Sequence, residues 1–270
     1  MGGVTGLHAR ATIAVDGSGR CTTLRSQPPL TFRETADGLH LVGTAAGPVG
    51  GDRLRLDVTV AAGGSLTVRG VAASLVHPGP TGEPSCLDVT VEVGVGATLV
   101  WLPRPTVLVA GCDHTVTTTI RLGRDARLQW YEPVGLGREG EPSGSLVQRL
   151  RLDVDDRPLL RNEAAFGPRW PGSAGPAGTA GATVAATMLT VGADPASFAF
   201  DGRDGQRTRR SEVFGSNVDL GRGAALVTVL APSFVELERC VPSAQRPSWS
   251  SSAPTIEMRP SDRSQSSPMR

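Results

Sequence analysis

Lysine is missing altogether from the 270 residues: all 27 basic residues are arginine. Aromatic residues are scarce too, with four Trp, one Tyr and six Phe. Without lysine there is no P-loop lysine, no lysine Schiff base and no lysine general base. The 27 basic residues face 26 acidic ones, for a net charge of +1. A nucleic-acid binder needs a surplus of cations to displace counterions, so that class is excluded. No run of about 18 apolar residues occurs, which excludes a membrane-spanning helix. The start, Met1–Leu7, has no basic stretch followed by an apolar one, so a cytoplasmic protein is expected rather than a secreted one. Cys21, Cys86, Cys112 and Cys240 are the only cysteines, and no C-x-x-C pair occurs among them. That spacing suits neither a zinc site nor a dense disulfide framework, and free thiols are expected. Signatures of catalysis are absent as well. There is no G-x-S-x-G elbow, and no two histidines stand four apart as in H-E-x-x-H. His8, His40, His77 and His114 therefore read as surface or packing residues.

What the chain does have is 34 glycines, 21 prolines and many alternating Val, Leu and Thr segments. So much Gly and Pro interrupts long helices and suits short strands joined by turns. A pattern recurs through the middle of the chain. Leu56–Val60 alternates and is followed by Gly63-Gly64 and Leu66–Val68. Leu87–Val91, Gly94–Gly96 and Thr98–Leu99 repeat it. Val116–Ile120 with Gly123–Leu128, and Leu150–Val154 with Asp155–Leu160, are the later copies. Period-two alternation puts Leu56, Val58 and Val60 on one face and Arg55, Asp57 and Thr59 on the other. Gly-Gly and Asp-Asp are residues that tight hairpin turns favour. One hairpin cannot bury its apolar face alone, so an all-β fold of stacked hairpins is predicted, as a sandwich or a helical pile of sheets.

The flanking segments fit the same class. Ala9–Val15 alternates, Asp16–Gly19 turns and Cys21–Arg25 returns. Strands resume at Thr183–Val191 and Ala224–Leu230, and Pro232 opens a short helix through Val235–Arg239. A single domain over 1–242 is expected, with one or two short helices and a flexible glycine-rich loop at 168–182. The Ser- and Pro-rich segment 243–270 has too little apolar material to offset its ordering entropy and is expected to be disordered.

Few groups suggest chemistry. Gly47–Asp52 resembles a phosphate loop but lacks G-K-[ST] and precedes a strand, so it reads as a shaped turn. Arg203–Arg210 holds four arginines without interleaved aromatics and reads as a solvated loop. Glu132–Glu141 carries Glu132, Glu139 and Glu141 in a stretch read as a loop, where oxygen ligands suit weak binding of a divalent metal. No nucleophile–base set emerges. The residues alone describe a non-enzymatic β-repeat protein that binds other proteins.

An ordered series of motifs goes further. Val49-Gly50-Gly51-Asp52-Arg53-Leu54 before an alternating strand, Trp101–Val107, and Gly137-Arg138-Glu139-Gly140-Glu141 occur in this order. With Pro28-Pro29-Leu30 near the start and Leu230-Ala231-Pro232-Ser233 near the end, the series resembles the UreD (UreH) family of urease accessory proteins. The resemblance implies a mostly β, non-enzymatic scaffold that binds apo-urease. With UreF and the GTPase UreG it assists nickel incorporation into the urease active site. It implies no tightly bound cofactor, only transient nickel, and neither nucleic acid nor membrane as a partner. Carried onto this chain, it marks Gly50, Gly51, Asp52, Arg138 and Glu141 as partner-binding positions, and Asp52, Glu132 and Glu141 as oxygen donors of a transient nickel path. Val68–His77 departs from the family pattern, lacking its Gln, Lys and Tyr, and Cys240-Val241-Pro242 stands where the family continues a longer helix. The alternative reading of the residues is a β-repeat protein-binding module unrelated to urease.

Overall fold

The computed structural model describes residues 6–36, 38–192 and 213–240. The 243–270 segment and the Arg203–Arg210 stretch lie outside the described residues. In chain order the strands begin with β1 (His8–Val15), β2 (Cys21–Arg25), β3 (Leu30–Thr35), β4 (Gly38–Gly43), β5 (Arg53–Val60) and β6 (Ser65–Gly70). They continue with β7 (Ser74–Val76), β8 (Ser85–Val93), β9 (Thr98–Leu102), β10 (Thr106–Leu108), β11 (Asp113–Leu122) and β12 (Arg127–Gly135). The last are β13 (Ser145–Val154), β14 (Arg157–Phe166), β15 (Val184–Val191), β16 (Phe214–Gly221) and β17 (Ala224–Ala231), ahead of helix α1 (Phe234–Cys240). The fold is all-β, as the alternation predicts.

The strands build two facing sheets. One has seven strands in the order β14-β13-β11-β8-β5-β1-β2. The other follows β16-β17-β15-β12-β9-β6-β4-β3, with β7 and β10 beside the end of β12. The predicted hairpins are corrected here for three of the repeats. β5 does not pair with β6; it lies parallel to β1 and β8, while β6 lies parallel to β4 and β9. Each of these three repeats thus places one strand in each sheet, and Gly63-Gly64 is a corner between sheets. The result is a helical pile, a β-solenoid-like stack. Only the fourth copy is a hairpin: β13 and β14 pair antiparallel around Asp155 and Asp156, both at positive φ (52° and 57°).

The corners explain much of the glycine. Gly63, Gly96 and Asp125 occupy equivalent positions at φ of 73°, 64° and 57°. Glycine adopts this region without strain, and Asp tolerates it. Gly94 has a different reason: a Cβ there would lie 2.5 Å from the Ala62 amide nitrogen of the preceding corner. The corners are stitched together, with the Gly63 N–H donating to Val95 O at 2.9 Å and the Gly96 N–H to Arg124 O at 2.9 Å.

The core lies between the sheets and is graded along the strands. Near the corners, aligned inward residues are apolar throughout: Val58, Val91, Ile120 and Leu152 share a row. The facing sheet contributes Leu66, Leu99 and Leu128, and Trp101 stacks on Trp130 at 4.9 Å between ring centroids. Toward the other end of the strands the inward rows turn polar. Ser85 and His114 are register partners, Gln148 follows two positions along β13 from Leu146, and Thr118 precedes the apolar rows.

Helix α1 packs Leu237 onto the outer face of the second sheet with Tyr131, Met188 and Val227. Its N-cap is Ser233, one residue after Pro232, whose Oγ accepts the Glu236 N–H at 3.2 Å. The glycine-rich 168–182 stretch forms consecutive turns, with Gly175 N–H to Gly172 O and Gly178 N–H to Gly175 O each at 2.9 Å. No helix among the described residues is long and apolar enough to cross a membrane.

Candidate functional site

A cavity of about 360 Å³ opens where the inner faces become polar. Leu54, Leu87 and Leu146 of the first sheet and Trp101, Trp130 and Val134 of the second form its apolar wall. Glu132, His114, His77 and Gln148 are the polar side chains of that wall that matter most chemically. Exposed lining residues mark the mouth: Ala45, Ala46, Ala72, Ala73, Leu75 and Arg104. Three of them belong to Val68–His77, so that segment shapes the entrance with small and apolar side chains.

Glu132 lies within β12, not in a loop as its neighbours suggest. Leu128, Trp130, Glu132 and Val134 alternate inward, so strand geometry aims the carboxyl between the sheets. The Thr118 hydroxyl, across the sandwich, donates to Glu132 Oε1 at 3.3 Å. Protein surrounds the carboxyl while the cavity still reaches it, and this burial raises its pKa above the ordinary carboxylate range. The Trp130 indole N–H and the Thr118 hydroxyl oppose the shift by favouring the ion. The buried Trp130 Nε1 makes no hydrogen bond of its own, so its effect on the carboxyl comes through proximity.

His114 is 1% exposed, and its Nδ1 lies 2.8 Å from the fully buried Ser85 hydroxyl. Desolvation lowers its pKa from 6.5 to about 4, with only partial opposition from Ser85 and from the charge of Asp52. The ring is therefore neutral at physiological pH. Sequence reasoning placed His114 among packing residues. The available signal was its place on the inward face His114–Val116–Thr118–Ile120; the Ser85 contact joins residues far apart in sequence.

Asp52 is buried behind this wall. Its Oδ1 accepts the Leu7 N–H and its Oδ2 the Val49 N–H, each at 2.8 Å. Gly50 and Gly51 are buried with it. A Cβ on Gly50 would meet the Gly79 amide nitrogen at 2.3 Å, and Gly51 sits at φ 93°. The Gly47–Asp52 segment is thus a tight crossing of three chain segments that holds one wall of the cavity. Arg138 and Glu141 stand apart from the cavity wall. They form a two-pronged ion pair on the 136–144 loop, Nε to Oε2 at 2.8 Å and Nη2 to Oε1 at 2.5 Å. The Arg138 hydrogen bonds hold Glu141 below its usual pKa. The structure thus brings Glu132 and the Asp52 turn to one region and separates both from Glu141. The four cysteines form no disulfide, and burial pushes Cys112 up to about 11. Among the described residues no three or more His, Cys, Asp or Glu side chains gather into a metal cage.

Comparison with known proteins agrees with the motif series. The family model described as UreD urease accessory protein matches residues 6–256. A urease accessory protein UreD from Parafrankia sp. is 42% identical over 217 residues, covering 70% of this chain and 73% of that protein. Another from Streptomyces avermitilis is 36% identical over 249 residues, covering 88% of this chain and 96% of that protein. One from Frankia casuarinae is 35% identical over 269 residues, covering 86% and 84%. These matches replace the alternative of a β-repeat module unrelated to urease: the chain belongs to the UreD family of urease accessory proteins.

Proposed function

We propose that this chain is a non-enzymatic, cytoplasmic scaffold that binds apo-urease together with UreF and UreG. It helps nickel reach the urease active site, and the cavity between the sheets carries the ion. The observation that carries the path is a carboxyl aimed from a strand into the apolar interior. Burying an ionisable group costs stability unless it is paired, and Glu132 has only the Thr118 hydroxyl and the Trp130 N–H beside it. A residue that stability does not explain is a candidate for function.

The donor types suit passage better than storage. Carboxylate and hydroxyl oxygens bind divalent first-row cations weakly, whereas clustered thiolate and imidazole trap them. The donors lie along a wall instead of converging on one point. In this reading nickel is cargo and no cofactor is held tightly. The Gly50-Gly51-Asp52 turn supports the wall, and the exposed Arg138–Glu141 pair lies on a loop offered to a partner. The test is deletion of the gene in a host with urease. The expected result is urease polypeptide present at normal level but nickel-poor and inactive at ordinary nickel supply. Full activity without this chain would refute the role.

A further inference from the structure

We propose that His114, positioned by Ser85, is a second cation ligand of the cavity and gives the path a nitrogen stop on the wall that faces Glu132. This rests on the reading of the cavity as a cation path and names a donor that the carboxylates alone do not supply.

The two sheets present their inward polar groups at the same end of the sandwich: Ser85, His114 and Thr118 from one side, Glu132 from the other. His114 and Glu132 both form part of the cavity wall, whereas Ser85 is 0% exposed and does not. Ser85 therefore acts on the ring and not on a ligand. Its hydroxyl sits 2.8 Å from Nδ1, within reach to accept the proton that this nitrogen carries in one of the two tautomers. In the proposed arrangement the hydroxyl accepts from Nδ1–H, and the Nε2 lone pair stays free for a cation. Metal-binding imidazoles are held in this way, with the second nitrogen donating to an oxygen behind the ring. Leu54, Leu87 and Leu146 line the same cavity, so apolar packing alone does not call for an imidazole there. A single neutral nitrogen adds affinity without the grip of a cage, and no cage of three such residues exists among the described residues.

The experiment is side-chain NMR of histidines in the full chain, with nickel chloride as the probe and His114→Gln to assign the signal. The expected spectrum shows the Nδ1–H tautomer with an unprotonated Nε2, and substoichiometric Ni²⁺ broadens that signal. Ser85→Ala is expected to mix the tautomers and weaken nickel binding about three-fold, and His114→Gln about ten-fold. A His114 signal with the proton on Nε2 would overturn the inference. So would a sharp His114 signal while the signal of His77, on the same cavity wall, broadens, a result that leaves the cation path itself standing. No broadening anywhere in the cavity would remove the path and the inference together. The wild-type tautomer and broadening stand even if a variant fails to fold.

Discussion

Thr118 and Glu132 belong to opposite sheets, and the hydroxyl of one donates to the carboxyl of the other at 3.3 Å. This contact marks where the apolar interior of the stack ends. On one side lie rows such as Val58–Val91–Ile120–Leu152, and on the other lies the cavity.

The apolar side should behave as ordinary core. Ile120 is fully buried and central. Ile120→Ala is expected to cost about 2–5 kcal/mol, since lost transfer energy and a residual cavity add. Urea denaturation monitored by tryptophan fluorescence measures this directly. A loss well below ~1 kcal/mol would mean that the inner rows are not packed as described.

The corners make a paired prediction. Gly94→Ala drives a Cβ against the Ala62 backbone and should destabilise by about 1–3 kcal/mol. Gly96→Asp has open space and a φ of 64° that Asp125 already tolerates in the next corner, so its cost should stay below about 1 kcal/mol. Equal melting temperatures for the two variants would contradict the stacked-corner geometry.

Asp52 accepts two backbone N–H groups that nothing else satisfies. Asp52→Ala is expected to lose about 1–3 kcal/mol, because it orphans two part-buried donors and a fully buried one costs about 1–3 kcal/mol. Hydrogen exchange at Leu7 and Val49 should accelerate by at least ten-fold. Unchanged protection at both amides would show that the carboxylate does not hold this crossing.

The His114 shift makes stability depend on pH in a defined window. The native ring has a pKa near 4 and the unfolded ring one near 6.5, so between these values the unfolded chain binds the extra proton. Stability from this group is complete above 6.5 and is lost as pH falls toward 4, in total roughly 3 kcal/mol. His114→Gln should flatten that part of the pH–stability curve. The same slope in wild type and variant would place the cause elsewhere.

Strand positions were legible because period-two alternation survives any pairing scheme, and β5, β8 and β11 all follow from it. The partner of each strand was not. Gly63-Gly64 suits a hairpin and a corner equally, since both need positive φ, and only the packing of Leu56 beneath Val89 decides between them. The fourth copy did form a hairpin, at Asp155-Asp156. Glu132 opens a run with Gly135, Gly137 and Gly140 that reads as a loop, and the Leu128–Trp130–Glu132–Val134 alternation that keeps it on a strand is weak against those glycines. His114 reads as a surface or packing residue because its partner Ser85 lies on another strand, a relation that one strand's pattern does not contain.

The central claim is that the carboxyl of Glu132 serves nickel transfer and not assembly. Its most direct test is co-expression of this chain or its Glu132→Gln variant with the urease subunits, UreF and UreG, followed by counting nickel ions per purified urease. The account predicts that the variant co-purifies with urease as the wild type does while nickel content falls at least ten-fold. Full nickel loading by the Glu132→Gln variant would contradict it.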